Sequence, residues 1–181
     1  HPFLHTIEEM DRWLVPVGWT GDAFDYDALE ARLATRPARL WILCHPQNPL
    51  GRVFERPELE RIADIAERHD LVVISDEIHA DLMMPGVTHV PFEVLGPSVA
   101  ARTVTITSAS KAFNLAGLRW AVLHAGHAPM HDALAALPGH YLGATNVMAA
   151  VATEAAWTGG GDWLRAVIEV LGENCRSLQP L

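Results

Sequence analysis

Three segments of the sequence each close an apolar run with residues able to do chemistry. They are Cys44-His45-Pro46-Gln47-Asn48-Pro49-Leu50-Gly51, Ser75-Asp76-Glu77-Ile78-His79 and Ser108-Ala109-Ser110-Lys111. If the apolar runs are strands of one mainly parallel sheet, their C-terminal ends share a rim, and open α/β sheets bind ligands at such a rim. That arrangement would bring together the amide of Asn48, the carboxylate of Asp76 and the amine of Lys111. The three groups match what a pyridoxal ring requires: a donor to its phenolic oxygen, a charge partner for its pyridine nitrogen, and a primary amine that can condense with its aldehyde. Lys111 is also the only lysine in 181 residues, whereas arginine occurs twelve times. Arginine thus serves for ordinary surface charge, and a deprotonatable primary amine is kept at a single place. Plainer readings of the same residues are a turn residue before proline for Asn48, a helix cap for Asp76 and a surface lysine for Lys111.

The elements that would position these groups alternate between helix and strand. Acidic capping candidates precede helical spacing over 25–33, and the continuous apolar run Leu40 to Cys44 reads as a buried strand. Pro57 suits the first turn of a helix whose Leu59, Ile62, Ala63 and Ala66 fall on one face, and a second buried strand follows at Leu71 to Ser75. A short helix is expected near Phe92 to Leu95, then strands at Thr103 to Thr107 and Trp120 to His124. From Met130 onward the spacing is helical: Met130, Ala133, Leu134 and Leu137 on one face, then Val147 to Trp157 and Trp163 to Leu178, with Thr158 to Gly161 as a glycine-rich loop between helices. The rings of Trp41, Trp120 and Trp163 are expected in or beside the core. The alternation predicts an α/β fold with a mainly parallel sheet and helices on both faces. The last strand should run antiparallel, because only about a dozen residues separate it from its predecessor and a parallel crossover needs a full helix.

Composition narrows the function classes. The net charge of -9 at pH 7 argues against a nucleic-acid partner, which would call for clustered basic residues. The longest apolar runs fall far short of the roughly 20 residues of a membrane span. Two cysteines are too few for a disulfide framework in a chain of this size, so a reducing, cytoplasmic setting is expected. Asp76, His79 and Asp81 could be drawn as metal ligands, but no second cluster completes them, and no metal is expected. The glycine fingerprint of a dinucleotide site is absent.

Five segments in order carry a family resemblance: His45 to Val53, Ser75 to Leu82, Thr88-His89-Val90-Pro91-Phe92, Ser108 to Leu118 and Ala152-Thr153-Glu154-Ala155-Ala156. The chain resembles the fold-type I enzymes that depend on pyridoxal 5′-phosphate (PLP), the class I/II aminotransferase superfamily. Within it, the chain is similar to the MalY/PatB group of cystathionine β-lyase-like C–S lyases. The resemblance implies that Lys111 carries the cofactor, Asn48 hydrogen-bonds the ring O3′ and Asp76 pairs with the pyridine nitrogen. Ser108 and Ser110 resemble hydroxyls around the cofactor phosphate, and Arg119 stands where many aminotransferases place a phosphate-binding arginine. His79 replaces the tyrosine of typical aminotransferases, a lyase-like mark; it either touches the cofactor or covers the sheet edge.

The resemblance further implies a small amino-acid substrate, a homodimer, and PLP-dependent β-lyase chemistry on cystathionine-like substrates. An aminotransferase is the alternative, and a non-catalytic isolated fragment a third reading. Family members are about twice as long, so residues 1–181 read as the core of the PLP-binding large domain, without the family's N-terminal segment and C-terminal small domain. Val147, Val151, Trp157, Val167, Val170 and Leu171 should then be left exposed on the last helices.

Overall fold

A computed structural model describes residues 2–178; His1 and residues 179–181 lie outside it. The chain runs α1 (Pro2–Glu9), β1 (Trp19–Thr20), β2 (Ala23–Phe24), α2 (Tyr26–Thr35), β3 (Leu40–Cys44), α3 (Arg56–Arg68) and β4 (Val72–Asp76). A 3-10 turn at Phe92–Leu95 and α4 (Pro97–Ala100) lead to β5 (Thr103–Thr107), and a second 3-10 turn at Ala116–Leu118 leads to β6 (Val122–Ala125). The chain closes with α5 (Ala128–Ala135), α6 (Val147–Gly159) and α7 (Gly161–Leu178).

Local chemistry sets the helix ends. The Asp25 side chain accepts from the Ala28 N–H at 3.0 Å and caps α2, which buries Tyr26, Leu29 and Leu33 at helical spacing. At the start of α3 the Glu55 N–H donates to Glu58 Oε2 at 3.0 Å, and Pro57 occupies the first turn, where no intrahelical donor is needed. The buried face of α3 is Leu59, Ile62, Ala63, Ile65 and Ala66.

The four-stranded sheet has the order β3-β4-β5-β6, parallel through β5 and antiparallel at β6. The mainly parallel α/β architecture and the antiparallel last strand expected from the sequence are both present. The connection 108–121 holds turns and a single 3-10 turn, so the chain reverses without crossing over. Register divides the sheet into two faces. One face carries Trp41, Val73 and Thr103 in a row and Leu43, Ser75 and Thr105 in the next; it meets α2, α3 and Phe92 in the main core. The other face carries Ile42, Ile74 and Val104, then Cys44, Asp76 and Ile106, and its isoleucines are only half-buried within this chain.

Three expectations need correction. The loop placed over Thr158 to Gly161 shrinks to Gly160 alone, because α6 runs through Gly159 and α7 begins at Gly161. A Cβ at Gly160 would stand 2.5 Å from both the Ala156 carbonyl oxygen and the Phe113 ring, so the glycine there admits close packing rather than flexibility. Trp163, expected in or beside the core, is outside it: the ring is half-exposed on α7, with its indole N–H donating to the Ala112 carbonyl at 3.3 Å. The face expected through Leu137 stops at Ala135, and α5 buries none of its residues. The exposed apolar residues Val147, Val151, Trp157, Val170 and Leu171 are as expected, with Val167 half-buried.

Phe92 is fully buried at the centre of the core and leaves a large cavity if truncated. Phe92→Ala is expected to lower the unfolding free energy by about 3–5 kcal/mol, read from the urea midpoint of the purified protein.

Candidate active site

Parallel register brings the candidate groups to one edge. Cys44 pairs with Asp76 and Asp76 with Ile106, so the C-terminal ends of β3, β4 and β5 lie side by side. Asn48 follows β3 by four residues, Asp76 ends β4, and Lys111 follows β5 by four residues.

The Asn48 loop is closed by its own backbone. The Gln47 N–H donates to the Arg52 carbonyl at 2.7 Å, the Gly51 N–H to the Gln47 carbonyl at 2.8 Å and the Leu50 N–H to Gln47 Oε1 at 2.9 Å. Gly51 has φ +69°, a left-handed conformation that glycine adopts at little cost. This loop and the β4 exit bound a cleft of about 240 Å³ whose lining includes Asn48, Pro49, Val53, His79, Leu82 and Met83.

Asp76 is 8 % exposed, and its Oδ1 accepts from the Ile78 N–H at 3.3 Å. Burial raises its carboxyl above the ordinary range, against the lowering influence of that N–H, of His79 and of the Lys111 ammonium. His79 is held below its ordinary value, first by burial and then by the Lys111 charge, while Asp76 pulls the other way. Asp76, His79 and Lys111 therefore share one electrostatic environment.

The Lys111 loop is a run of turns fixed by Phe113 N–H to Ala109 carbonyl and Leu115 N–H to Ser110 carbonyl hydrogen bonds, both 3.0 Å. Buried Ser108 donates its hydroxyl to the Trp120 carbonyl at 2.7 Å and accepts the Ser110 N–H at 3.1 Å, so it is committed to shaping the loop. Among the described residues, neither the Ser110 hydroxyl, the exposed Lys111 amine nor the Arg119 guanidinium has a protein hydrogen-bond partner, while the Arg119 N–H donates to the Ala116 carbonyl at 3.2 Å. Arg119 ends the 3-10 turn in a left-handed conformation, φ 51° and ψ 56°, that redirects the chain into β6. Helix α6 reaches the same edge: the Trp157 indole donates to Asp81 Oδ2 at 3.2 Å, and its ring lies 6.5 Å from that of Trp120.

A buried polar cluster lies beneath this edge, and the motif reading did not single it out. Glu77 Oε1 accepts from the Ser75 hydroxyl at 2.7 Å and the Phe92 N–H at 3.0 Å, and Oε2 meets His89 Nε2 at 2.8 Å. Burial alone would raise the Glu77 carboxyl; the His89 hydrogen bond, then those from Phe92 and Ser75, outweigh it and hold it below the usual range. His45, fully buried, packs against His89 with ring centroids 4.5 Å apart and ring planes tilted by 35°. Its Nδ1 accepts from the Phe54 N–H at 3.4 Å and its Nε2 faces the Val90 carbonyl at 3.1 Å, which together select the neutral Nε2–H tautomer. The signal was present in the alternation: Val73, Ser75 and Glu77 fall on the core face, where a carboxylate must find donors.

The donor set fits a pyridoxal group on the structure's own terms. A buried carboxylate has one backbone N–H and no ion-pair partner, an unpartnered amine stands in the same field, and an amide lines the adjoining cleft. Among the described residues, no cluster of His, Cys, Asp and Glu is arranged to hold a metal ion. No helix among them is long and apolar enough to cross a membrane.

Residues 14–164 match the family described as Aminotransferase class I and II, and the chain belongs to that family. Cystathionine beta-lyase PatB of Bacillus subtilis is 36% identical over 178 residues, covering 96% of this chain and 46% of that protein. Kynurenine–oxoglutarate transaminase 3 of Mus musculus is 38% identical over 143 residues, covering 77% of this chain and 30% of that protein. The PLP-bound C–S lyase of Staphylococcus hominis superposes with a TM-score of 0.92 at 30% identity, over 99% of this chain and 47% of that one. The chain thus spans about half the length of such relatives.

His45 is pushed down to about 4, first by burial and next by the His89 charge. A histidine lowered in the folded state leaves the unfolded chain binding more protons, so its contribution is intact above the unfolded value of 6.5 and is lost as pH falls toward 4. His45→Gln can keep both hydrogen bonds but does not titrate. Between pH 7 and pH 4 the wild type is expected to lose about 3 kcal/mol more unfolding free energy than this variant, measured by urea denaturation at each pH.

Proposed function

We propose that the complete polypeptide is a PLP-dependent C–S β-lyase acting on cystathionine-like amino acids, with Lys111 as its catalytic lysine. The observation that carries the reading is the chain's only lysine placed in one field with the buried carboxylate of Asp76 and with His79. Two relatives named as lyases, matched along nearly the whole chain, support this substrate class.

When bound, PLP supplies an electron sink for the pair left behind when a proton leaves the substrate Cα. In this reading Lys111 would hold the cofactor through its aldehyde, and its amine, when free, would take the substrate Cα proton. Asp76 holds the proton on the pyridine nitrogen. Its buried, partner-poor carboxylate suits that task, because a cation beside it would offset the cost of keeping it ionised. Asn48 donates to the ring O3′ and helps seat the substrate carboxylate. His79 lines the cleft and would contact the cofactor ring. Ser110 and Arg119 carry unpartnered polar groups at the end of the lysine loop and are assigned to the phosphate, with Ser108 fixing the turn that presents them. The substrate Cβ–S bond then breaks with release of a thiol, and water completes pyruvate and ammonia.

Residues 1–181 are the core of the PLP-binding large domain in this reading, and the complete protein is a cytoplasmic homodimer. The free thiols of Cys44 and Cys175 agree with a reducing compartment, and the exposed apolar faces of α6 and α7 with burial in a larger assembly. The competing reading is an aminotransferase, which shares every role up to loss of the Cα proton. Arg119 and the transaminase relative favour it.

Assaying the complete protein separates the two. With cystathionine, the lyase reading expects thiol, pyruvate and ammonia together; an amino donor that converts a keto acid without thiol release replaces it with the aminotransferase reading. Lys111→Ala is expected to lower kcat by at least about 10³-fold and to abolish the visible band of the lysine-bound cofactor. Asp76→Asn is expected to lose about 10²-fold in kcat with substrate binding largely kept.

A further inference from the structure

Asp76 and Glu77 are consecutive, so their side chains leave opposite faces of the sheet: Asp76 on the face it shares with Cys44 and Ile106, Glu77 into the core. Glu77 is 3 % exposed, and all three of its donors come from fixed places. Ser75 lies two residues back on β4, while His89 stands just before the Phe92–Leu95 turn and Phe92 opens it. The Glu77 N–H also donates to the Ile106 carbonyl at 2.8 Å, tying this residue to β5 just ahead of the lysine loop. The next peptide N–H, that of Ile78, is the one that holds Asp76 Oδ1 at 3.3 Å. The Glu77 carbonyl accepts from the Ala80 N–H at 2.9 Å and so closes the turn carrying His79. Both groups assigned to the cofactor ring at the end of β4, Asp76 and His79, therefore hang from a peptide next to one pinned buried carboxylate.

We propose that Glu77, held by Ser75, His89 and Phe92, is a positioning residue: it fixes the Ile78 N–H and thereby the direction in which the Asp76 carboxylate faces the cofactor. The inference rests on the PLP reading given above. Without the Glu77 carboxylate, the Phe92 N–H and the Ser75 hydroxyl lose their acceptor in a buried site, and the 77–80 turn can rotate about the strand end. Asp76 then keeps its charge but loses its aim. A displacement of about 1 Å in a group of this kind can cost on the order of 100-fold in rate. The cost falls on the step after substrate binding, because the electron pair needs the ring nitrogen's partner only once the Cα proton has left.

The test uses the complete holoenzyme and the variants Glu77→Ala, Glu77→Gln and His89→Ala, assayed well below each melting midpoint. Glu77→Ala is expected to lower kcat by roughly 10- to 100-fold with KM little changed, and to weaken PLP binding, followed by the visible band on titrating the apo-protein. Glu77→Gln retains an acceptor for Phe92 and Ser75, and His89 can present its other tautomer to the amide, so it should recover most of both losses. His89→Ala removes one donor of three and should give a smaller kcat loss of the same kind; it reads the same quantities if Glu77→Ala does not accumulate as folded protein. A Glu77→Ala protein that melts lower yet keeps wild-type kcat and PLP affinity would overturn the proposal, as would equal impairment of the alanine and glutamine variants. A wild type that shows neither the visible band nor turnover overturns the cofactor reading and this inference with it; a wild type that shows both, with unaffected variants, overturns the positioning role alone.

Discussion

Everything at the candidate site depends on one row of strand pairing, in which Cys44 stands beside Asp76 and Asp76 beside Ile106. Parallel strands in this register end together, so their three exits open on the same edge and the residues that follow share one space. A slip of one residue at β4 would send Asp76 into the core and Glu77 to the opposite face. The apolar pattern resists that slip, because Val73 is fully buried between β3 and β5 and cannot exchange places with its half-buried neighbours without opening the core. The chemistry of the edge is thus specified by packing several residues away from it.

The two faces of β4 have different tasks at its end. On the core face Ser75 and Glu77 continue the row of Val73, and the carboxylate is fully engaged by an ordered set of donors. On the opposite face Asp76 is buried but sparsely hydrogen-bonded, which leaves its carboxylate for a ligand. The lysine loop shows the same division. Ser108 is committed to the fold while Ser110 and Lys111 are left free, and Gly160 lets the α6–α7 junction press against Phe113 to hold the loop from behind. Preorganisation of this sort is what a site needs when it must hold a proton at one atom and remove it at another.

Much of this was legible in the sequence because the signals were local. Continuous apolar runs ended in polar motifs, Asp25 and Pro57 marked helix starts, and the short connection around Lys111 required an antiparallel last strand. What escaped was tertiary. Thr158 to Gly161 reads as a loop by composition, but the helices run up to Gly160, where only a glycine lets Phe113 approach. Trp163 reads as lying in or beside the core by residue type, yet it stands on a helix face that this chain leaves half-exposed. The His45, Glu77 and His89 cluster joins residues up to 44 positions apart, and no spacing rule brings it together. Ser108 and Ser110 look alike in the motif, and only the hydrogen-bond partners separate the structural hydroxyl from the free one.

The most direct measurement is chemical and uses the chain's single lysine. PLP-loaded protein is treated with borohydride, which fixes a cofactor aldehyde covalently to the amine that holds it, and the product is analysed by intact mass and peptide mapping. The account predicts one pyridoxyl group per chain, located on the peptide containing Lys111 and absent from Lys111→Ala. A mass unchanged by the treatment, or a label that persists in Lys111→Ala, would contradict it.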